Sequence, residues 1–182
     1  MAKDRTLLEL INPNPEIIAT RLEDDGTFPN NPKLPLIIYR CALSFPATDS
    51  AAAAEQVLHA NHWTDSWRNG IYPFQHYHST AHEVLIICAG SASVQLGGPN
   101  GREYEIAPGD VVVLPAGTAH KNLGSSSDFL VVGAYPDGQE MDMYYGKPGE
   151  RPRADENIRK VSLPKTDPVY GENGPLIKAW RE

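Results

Sequence analysis

Residues 70–90 read GIYPFQHYHSTAHEVLIICAG and residues 109–120 read GDVVVLPAGTAH. As patterns these are G-x5-H-x-H-x4-E-x6-G and G-x5-P-x-G-x2-H, and together they supply His76, His78, Glu83 and His120. Three neutral imidazoles and one carboxylate suit a divalent transition metal, one per chain, with Fe, Mn, Ni and Zn all compatible. The spacing says more than the residue types. Two apart on extended backbone, His76 and His78 point to one face, and a turn at Ser79-Thr80 is needed to bring Glu83 to the same side. His120 arrives from a separate hairpin, after the turn-forming Pro115-Ala116-Gly117. Neighbours on a strand face opposite ways, so only one of His82 and Glu83 is expected inward; Glu83 is favoured because its charge offsets that of the cation.

Around these motifs short apolar runs alternate with turns, the pattern of an all-β barrel or sandwich. Strands are expected at Leu36–Tyr39, Arg102–Ile106, Val111–Leu114 and Phe129–Tyr135. Glu83–Cys88 and Ser91–Leu96, either side of Gly90, read as a hairpin. Gly70, Gly90, Gly109 and Gly117 are expected to serve positive-φ turns or bulges. Propensity predicts a helix over Ala51–Leu58, opened by Asp49-Ser50 and closed near Asn61. Trp63 to Gly70 reads as an aromatic-rich loop under which Trp63 and Trp67 pack. Beyond Tyr135, Glu150-Arg151-Pro152-Arg153 looks solvated, Ile158–Leu163 is a candidate edge strand, and the tail from Asp167 to Trp180 is apolar enough to dock on the body.

The chain has 182 residues, which fits one domain with its own core: N-terminal strands, helix and approach loop over 1–69, a core barrel over 70–135 and a C-terminal extension over 136–182. Sixteen Lys and Arg against 23 Asp and Glu give a formal net charge of −7, without any basic run, which argues against nucleic-acid and anionic-membrane partners. No signal-like leader or membrane-length apolar stretch is evident, so a cytoplasmic protein is expected. Cys41 and Cys88 have no metal-type spacing and read as free thiols of a reducing compartment.

The two motifs resemble the paired signature of the cupin superfamily, the first over its whole length and the second up to its histidine. Where that second motif usually carries Asn four residues later, this chain has Gly124, with Asn122 nearest. Ser66-Trp67-Arg68-Asn69-Gly70-Ile71, His76 to Leu85, Gly109-Asp110, Leu114-Pro115-Ala116-Gly117, Gly133-Ala134-Tyr135-Pro136 and Asp167-Pro168-Val169 are similar to the YjlB-type cupins over most of the chain. The resemblance implies a single cupin jelly-roll barrel with an N-terminal helix and a C-terminal extension. It implies no particular reaction.

By strand parity Tyr72 and Phe74 share the face of His76 and His78, and Leu85 and Ile87 share that of Glu83, so all four are candidates to line the cavity. Arg68 and Lys121 are candidates to hold an anionic substrate; His82, Tyr77 and Lys121 are the available acids or bases, with parity against Tyr77. Four ligands on an ion that prefers six leave room for a small-molecule substrate. The expected function is a metal-dependent, dioxygenase-like oxidoreductase. The alternatives are a non-catalytic metal-dependent or sugar-binding sensor and, more weakly, an isomerase or decarboxylase. A homodimer using the segment before Leu36 is expected, since pairing covers an open sheet edge.

Overall fold

The apolar run after Glu83 is buried on both faces, and this organises the molecule. A computed structural model describes residues 5–46 and 48–181. Its strands are β1 (Glu16–Thr20), β2 (Leu36–Arg40), β3 (Trp63–Asn69), β4 (Glu83–Ala89), β5 (Ala92–Leu96), β6 (Arg102–Ile106), β7 (Val111–Leu114), β8 (His120–Ser125) and β9 (Leu130–Pro136). The helices are α1 (Arg5–Leu10), α2 (Ser50–Ala60), α3 (Arg153–Ile158) and α4 (Pro175–Arg181).

The strands form two antiparallel sheets, ordered β1-β2-β7-β4-β9-β3 and β6-β5-β8. This is an all-β, jelly-roll type of fold. Leu85 and Ile87 of β4 join Leu36, Ile38, Val112, Leu114 and Val131 in one cluster, which meets Val94, Leu96 and Ile106 of the smaller sheet. Val84, Ile86 and Cys88 point the other way, toward Ala54, Val57 and Leu58 of α2 and toward Leu176 and Trp180 of α4. Two buried faces explain why β7, and β4 after Glu83, are apolar rather than alternating. Asp49 opens α2, its side chain accepting from Ala52 N–H at 3.0 Å, and Asn61 closes it.

Four sequence expectations are corrected. Trp63–Asn69 is a strand paired with β9; a bulge at which Asp65 adopts φ 54° sends Trp63 to the α2 side and Trp67 into the barrel, and the bulge and the polar residues between hide the alternation. β4 and β5 are not a hairpin, since the chain crosses between sheets at Gly90-Ser91 and β5 pairs instead with β6. Ile158 ends α3 and residues 159–163 form no strand; Asp155 and Glu156 lie in the helix's first turn, where carboxylates favour the N-terminal dipole. Residues 150–153 are less solvated than expected, as Arg151 pairs with Asp24 and Asp155 at 2.6 and 2.7 Å and Glu150 accepts from two backbone N–H groups and from Tyr77 Oη. The tail docks as expected: Trp180 is buried and donates to the Pro35 carbonyl.

Candidate metal centre

His76 and His120 face each other across an antiparallel bridge whose two backbone bonds measure 3.3 and 2.9 Å. Glu83, the first residue of β4, pairs with Leu114, the last of β7, which sets its carboxylate at the same end of the barrel. The bend at Ser79-Thr80 carries the chain from His78 to Glu83. Asp142, from the segment after β9, clamps that bend: its carboxylate accepts from Ser79 N–H at 2.6 Å, from Thr80 N–H at 3.3 Å and from the Ser79 hydroxyl. Gly117 works from the other side. Its N–H donates to the His78 carbonyl at 2.7 Å, its φ is +94°, and a Cβ there would lie 2.4 Å from the Asn30 carbonyl oxygen, so the loop before His120 requires glycine. Gly90 and Gly109 also have positive φ, whereas Gly70 does not and needs another explanation.

All four side chains are buried, and His76, His78 and His120 each offer a nitrogen within 4.8 Å of the others. Each imidazole has its Nδ1 against a backbone carbonyl: His76 with Phe74 at 3.1 Å, His120 with Thr118 at 3.0 Å and His78 with Asp142. A carbonyl can only accept, so Nδ1 holds the proton and the neutral Nε2 keeps its lone pair for the site. The Nε2 atoms of His78 and His120 lie 3.4 and 3.3 Å from Glu83 Oε2, and that buried oxygen has no hydrogen-bond partner. Lone pairs therefore converge there without a positive charge between them.

The titration directions show what this cluster lacks, a positive charge beside Glu83. Burial pushes the Glu83 carboxyl up, yet His78 and His120 outweigh it and hold the group below the usual carboxylate range. Burial lowers His78, but the Glu83 charge more than reverses this and raises it. Burial and the neighbouring His120 depress His76 to about 3, leaving a neutral donor. Glu83 thus favours positive charge beside it, which a proton on His78 would supply and which a metal ion held by the three imidazoles would supply as well.

The donors close one end of a cavity of about 320 Å³. Tyr72, Leu85 and Arg68 are among the residues that line it, and Phe74, Ile87 and Lys121 are not. Phe74 stacks on Tyr72 outside the mouth with ring centroids 4.9 Å apart, and Ile87 lies deeper in the core. Arg68 is already engaged, its Nε and one Nη each donating to Glu55 at 2.8 Å. The proposed acids and bases also point elsewhere: Tyr77 Oη donates to Glu150, and the His82 ring packs on Trp180 while accepting from Ala116 N–H at 2.9 Å.

Sequence reading missed Trp67, Asn69, Ile71, Tyr135, Met141 and Met143, which with Gly70 complete the wall. Tyr135 shares the inward parity of Val131 on β9, a signal that was available; the methionines come from irregular chain that carries none. Tyr135 Oη accepts from Trp67 Nε1–H at 3.0 Å and donates to Glu83 Oε1 at 3.3 Å. Burial, then the Glu83 charge, raises its pKa, so the hydroxyl keeps its proton. Trp67 reaches it only because residue 133 is glycine: a Cβ there would fall 2.1 Å from the indole ring.

Residues 69–131 match the family model described as the Cupin domain. Over 157 residues the chain is 43% identical to the uncharacterized protein YjlB of Bacillus subtilis (strain 168), covering 86% of this chain and 92% of that protein. This chain belongs to the YjlB-like cupins. Among solved structures, the cupin is similar to acireductone dioxygenase from Bacillus anthracis with a cadmium ion in its active center, at 17% identity, a TM-score of 0.38, and coverage of 52% of this chain and 64% of that one. It is also similar to the DMSP lyase DddQ from Ruegeria pomeroyi DSS-3, at 16% identity, a TM-score of 0.36, and coverage of 80% and 56% respectively. The chain spans less than two thirds of either structure, and at these values neither likeness bears on its chemistry.

Proposed function

We propose that this cupin is a metal-dependent enzyme acting on a small molecule, with His76, His78, Glu83 and His120 holding one divalent transition ion, and that its reaction is an oxidation of the dioxygenase type. The observation that supports it is the orphaned Glu83 oxygen, facing imidazole nitrogens whose outer N–H groups are all committed to backbone carbonyls. A bound ion supplies Lewis acidity and, as iron(II), a redox couple for dioxygen chemistry. The chain's own residues do the rest. Tyr135 holds its one Oη proton on Glu83 Oε1 and would turn it to a substrate oxygen only by releasing the carboxylate, Trp67 fixes that hydroxyl, and the apolar wall excludes water. This protonated group in the cavity favours a catalyst over a passive binder.

Protein purified without chelators or an affinity tag is expected to carry about one transition-metal ion per chain by elemental analysis. Less than half an equivalent after loading with Fe(II), Mn(II), Ni(II) and Zn(II) in turn would overturn the metal reading. No dioxygen uptake by the iron-loaded protein with enediols, thiols and aromatic diols would overturn the oxidative one. No helix among the described residues is long and apolar enough to cross a membrane. Cys41 and Cys88 are both free thiols, in keeping with the reducing cytoplasm we propose. The homodimer we propose would form at β1, which lies at a sheet edge with Ile17 45% exposed. Light scattering is expected to give twice the chain mass at micromolar concentration; a monomer would remove this proposal.

A further inference from the structure

The cavity has two unlike ends. Its inner end holds the His–Glu cluster and the Tyr135 hydroxyl. From there to the mouth the wall is Trp67, Ile71, Tyr72, Leu85, Met141 and Met143. Among the described residues that line it, the one cationic side chain is Arg68, and its guanidinium is taken by Glu55 in a two-point bond, with Asp49 at 3.6 Å. Asn69, also on the wall, has its Oδ1 bonded to the next backbone N–H. Outside the mouth the apolar surface continues. Tyr72 and Phe74 stack nearly parallel, at 15° between planes, and Phe74 lies 5.9 Å from Tyr145; these rings and Met141 are all at least 40% exposed. Lys147 is not among the lining residues; its Nζ lies 5.1 Å from the centroid of the Tyr145 ring.

A carboxylate or phosphate on the body of a ligand would lose its water against this wall and gain no cation in return, and Glu83 would repel it. A flat apolar body would bury surface at no such cost and meet ring faces and thioethers, which accommodate aromatic groups well.

We infer that the cavity takes a small, uncharged ligand with an apolar or aromatic body, whose polar donor group is confined to the end that meets His76, His78, Glu83, His120 and Tyr135. This rests on the proposed function for what the donor end does. The nature of the body rests on the wall alone.

Calorimetry on the full chain near neutral pH, with metal content measured separately, tests the two parts independently. One probe pair shares a chelating diol, homocatechol and protocatechuate; the other lacks it, para-cresol and para-hydroxybenzoate. In each pair the neutral member is expected to bind at least about tenfold tighter than its carboxylate analogue. Met141→Lys, at the exposed mouth, should erase most of that preference while leaving the fold intact. If the chelating pair binds no better than the other on metal-loaded protein, the metal reading fails while the inference about the body stands on the cresol pair. Equal or tighter binding of the anion in both pairs overturns the inference, and if Arg68→Ala then abolishes anion binding, Arg68 is the anchor instead. Absence of binding by both neutral probes up to about 10 mM overturns it as well.

Discussion

Metal content is expected to collapse in Glu83→Ala and to stay near that of the parent protein in His82→Ala. The two residues are adjacent and both are buried, yet they face opposite layers. Glu83 is the anion among the four converging donors, and its Oε2 lies within 3.4 Å of two imidazole nitrogens with no other partner. Its removal leaves three neutral donors and a net dication in a dry site. Loss of an orienting outer partner costs about 10–100-fold in metal affinity, and loss of the carboxylate itself should exceed that. Glu83→Gln sharpens the test, because it keeps an oxygen for the Tyr135 hydroxyl but removes the charge; it should lose metal nearly as fully as the alanine variant. His82→Ala deletes the ring that accepts Ala116 N–H and packs on Trp180, so it should cost about 1–3 kcal/mol of stability and little metal. Elemental analysis after identical loading, beside a urea unfolding curve for each variant, reads both quantities. Retention of metal by Glu83→Ala with its loss from His82→Ala would falsify the ligand assignment and free Glu83 to act as a base.

Much of this site was legible in sequence because it depends on parity and fixed spacing. Odd residues of β4 enter the barrel and even ones face α2, as the period of an extended strand requires. Val111–Leu114 and Arg102–Ile106 appear with the expected bounds, as apolar or alternating runs closed by turn residues. What was not legible arrives from a distance or from irregular chain. Asp142 bonds the Ser79-Thr80 bend across more than 60 residues, and nothing in a stretch of Pro, Gly and charge marks one aspartate among several. β3 failed for a local reason: one bulged residue breaks the period by which a strand is recognised. The hairpin expected at Gly90 failed because adjacency in sequence does not tell a turn within one sheet from a crossing between two.

Asp167→Ala is expected to be the most destabilising single change outside the His–Glu cluster, at about 3–5 kcal/mol by urea unfolding. The fully buried carboxylate gathers four donors. Oδ2 accepts from Tyr39 Oη at 2.6 Å and Leu176 N–H at 3.0 Å, and Oδ1 from Val169 N–H at 2.8 Å and Tyr170 N–H at 2.9 Å. Truncation leaves three backbone N–H groups, two of them fully buried, and a phenol to find other acceptors, and each loss adds to the last. Tyr39→Phe removes one donor and leaves the others in place, so it should cost about 1–2 kcal/mol. Asp167→Asn should fall between, because its amide offers N–H groups where acceptors are needed. The consequence reaches the site's outer wall, since the segment that Asp167 anchors ends in α4, whose Trp180 packs on His82. Metal content of Asp167→Ala, measured well below its unfolding transition, should nonetheless stay near parent, because no donor of the cluster touches the tail. A loss smaller than about 1 kcal/mol would mean that apolar packing by Leu176 and Trp180 alone docks the tail. A large loss of stability with metal retained would separate the tail's role in holding the outer layer from the cluster's role in holding the ion.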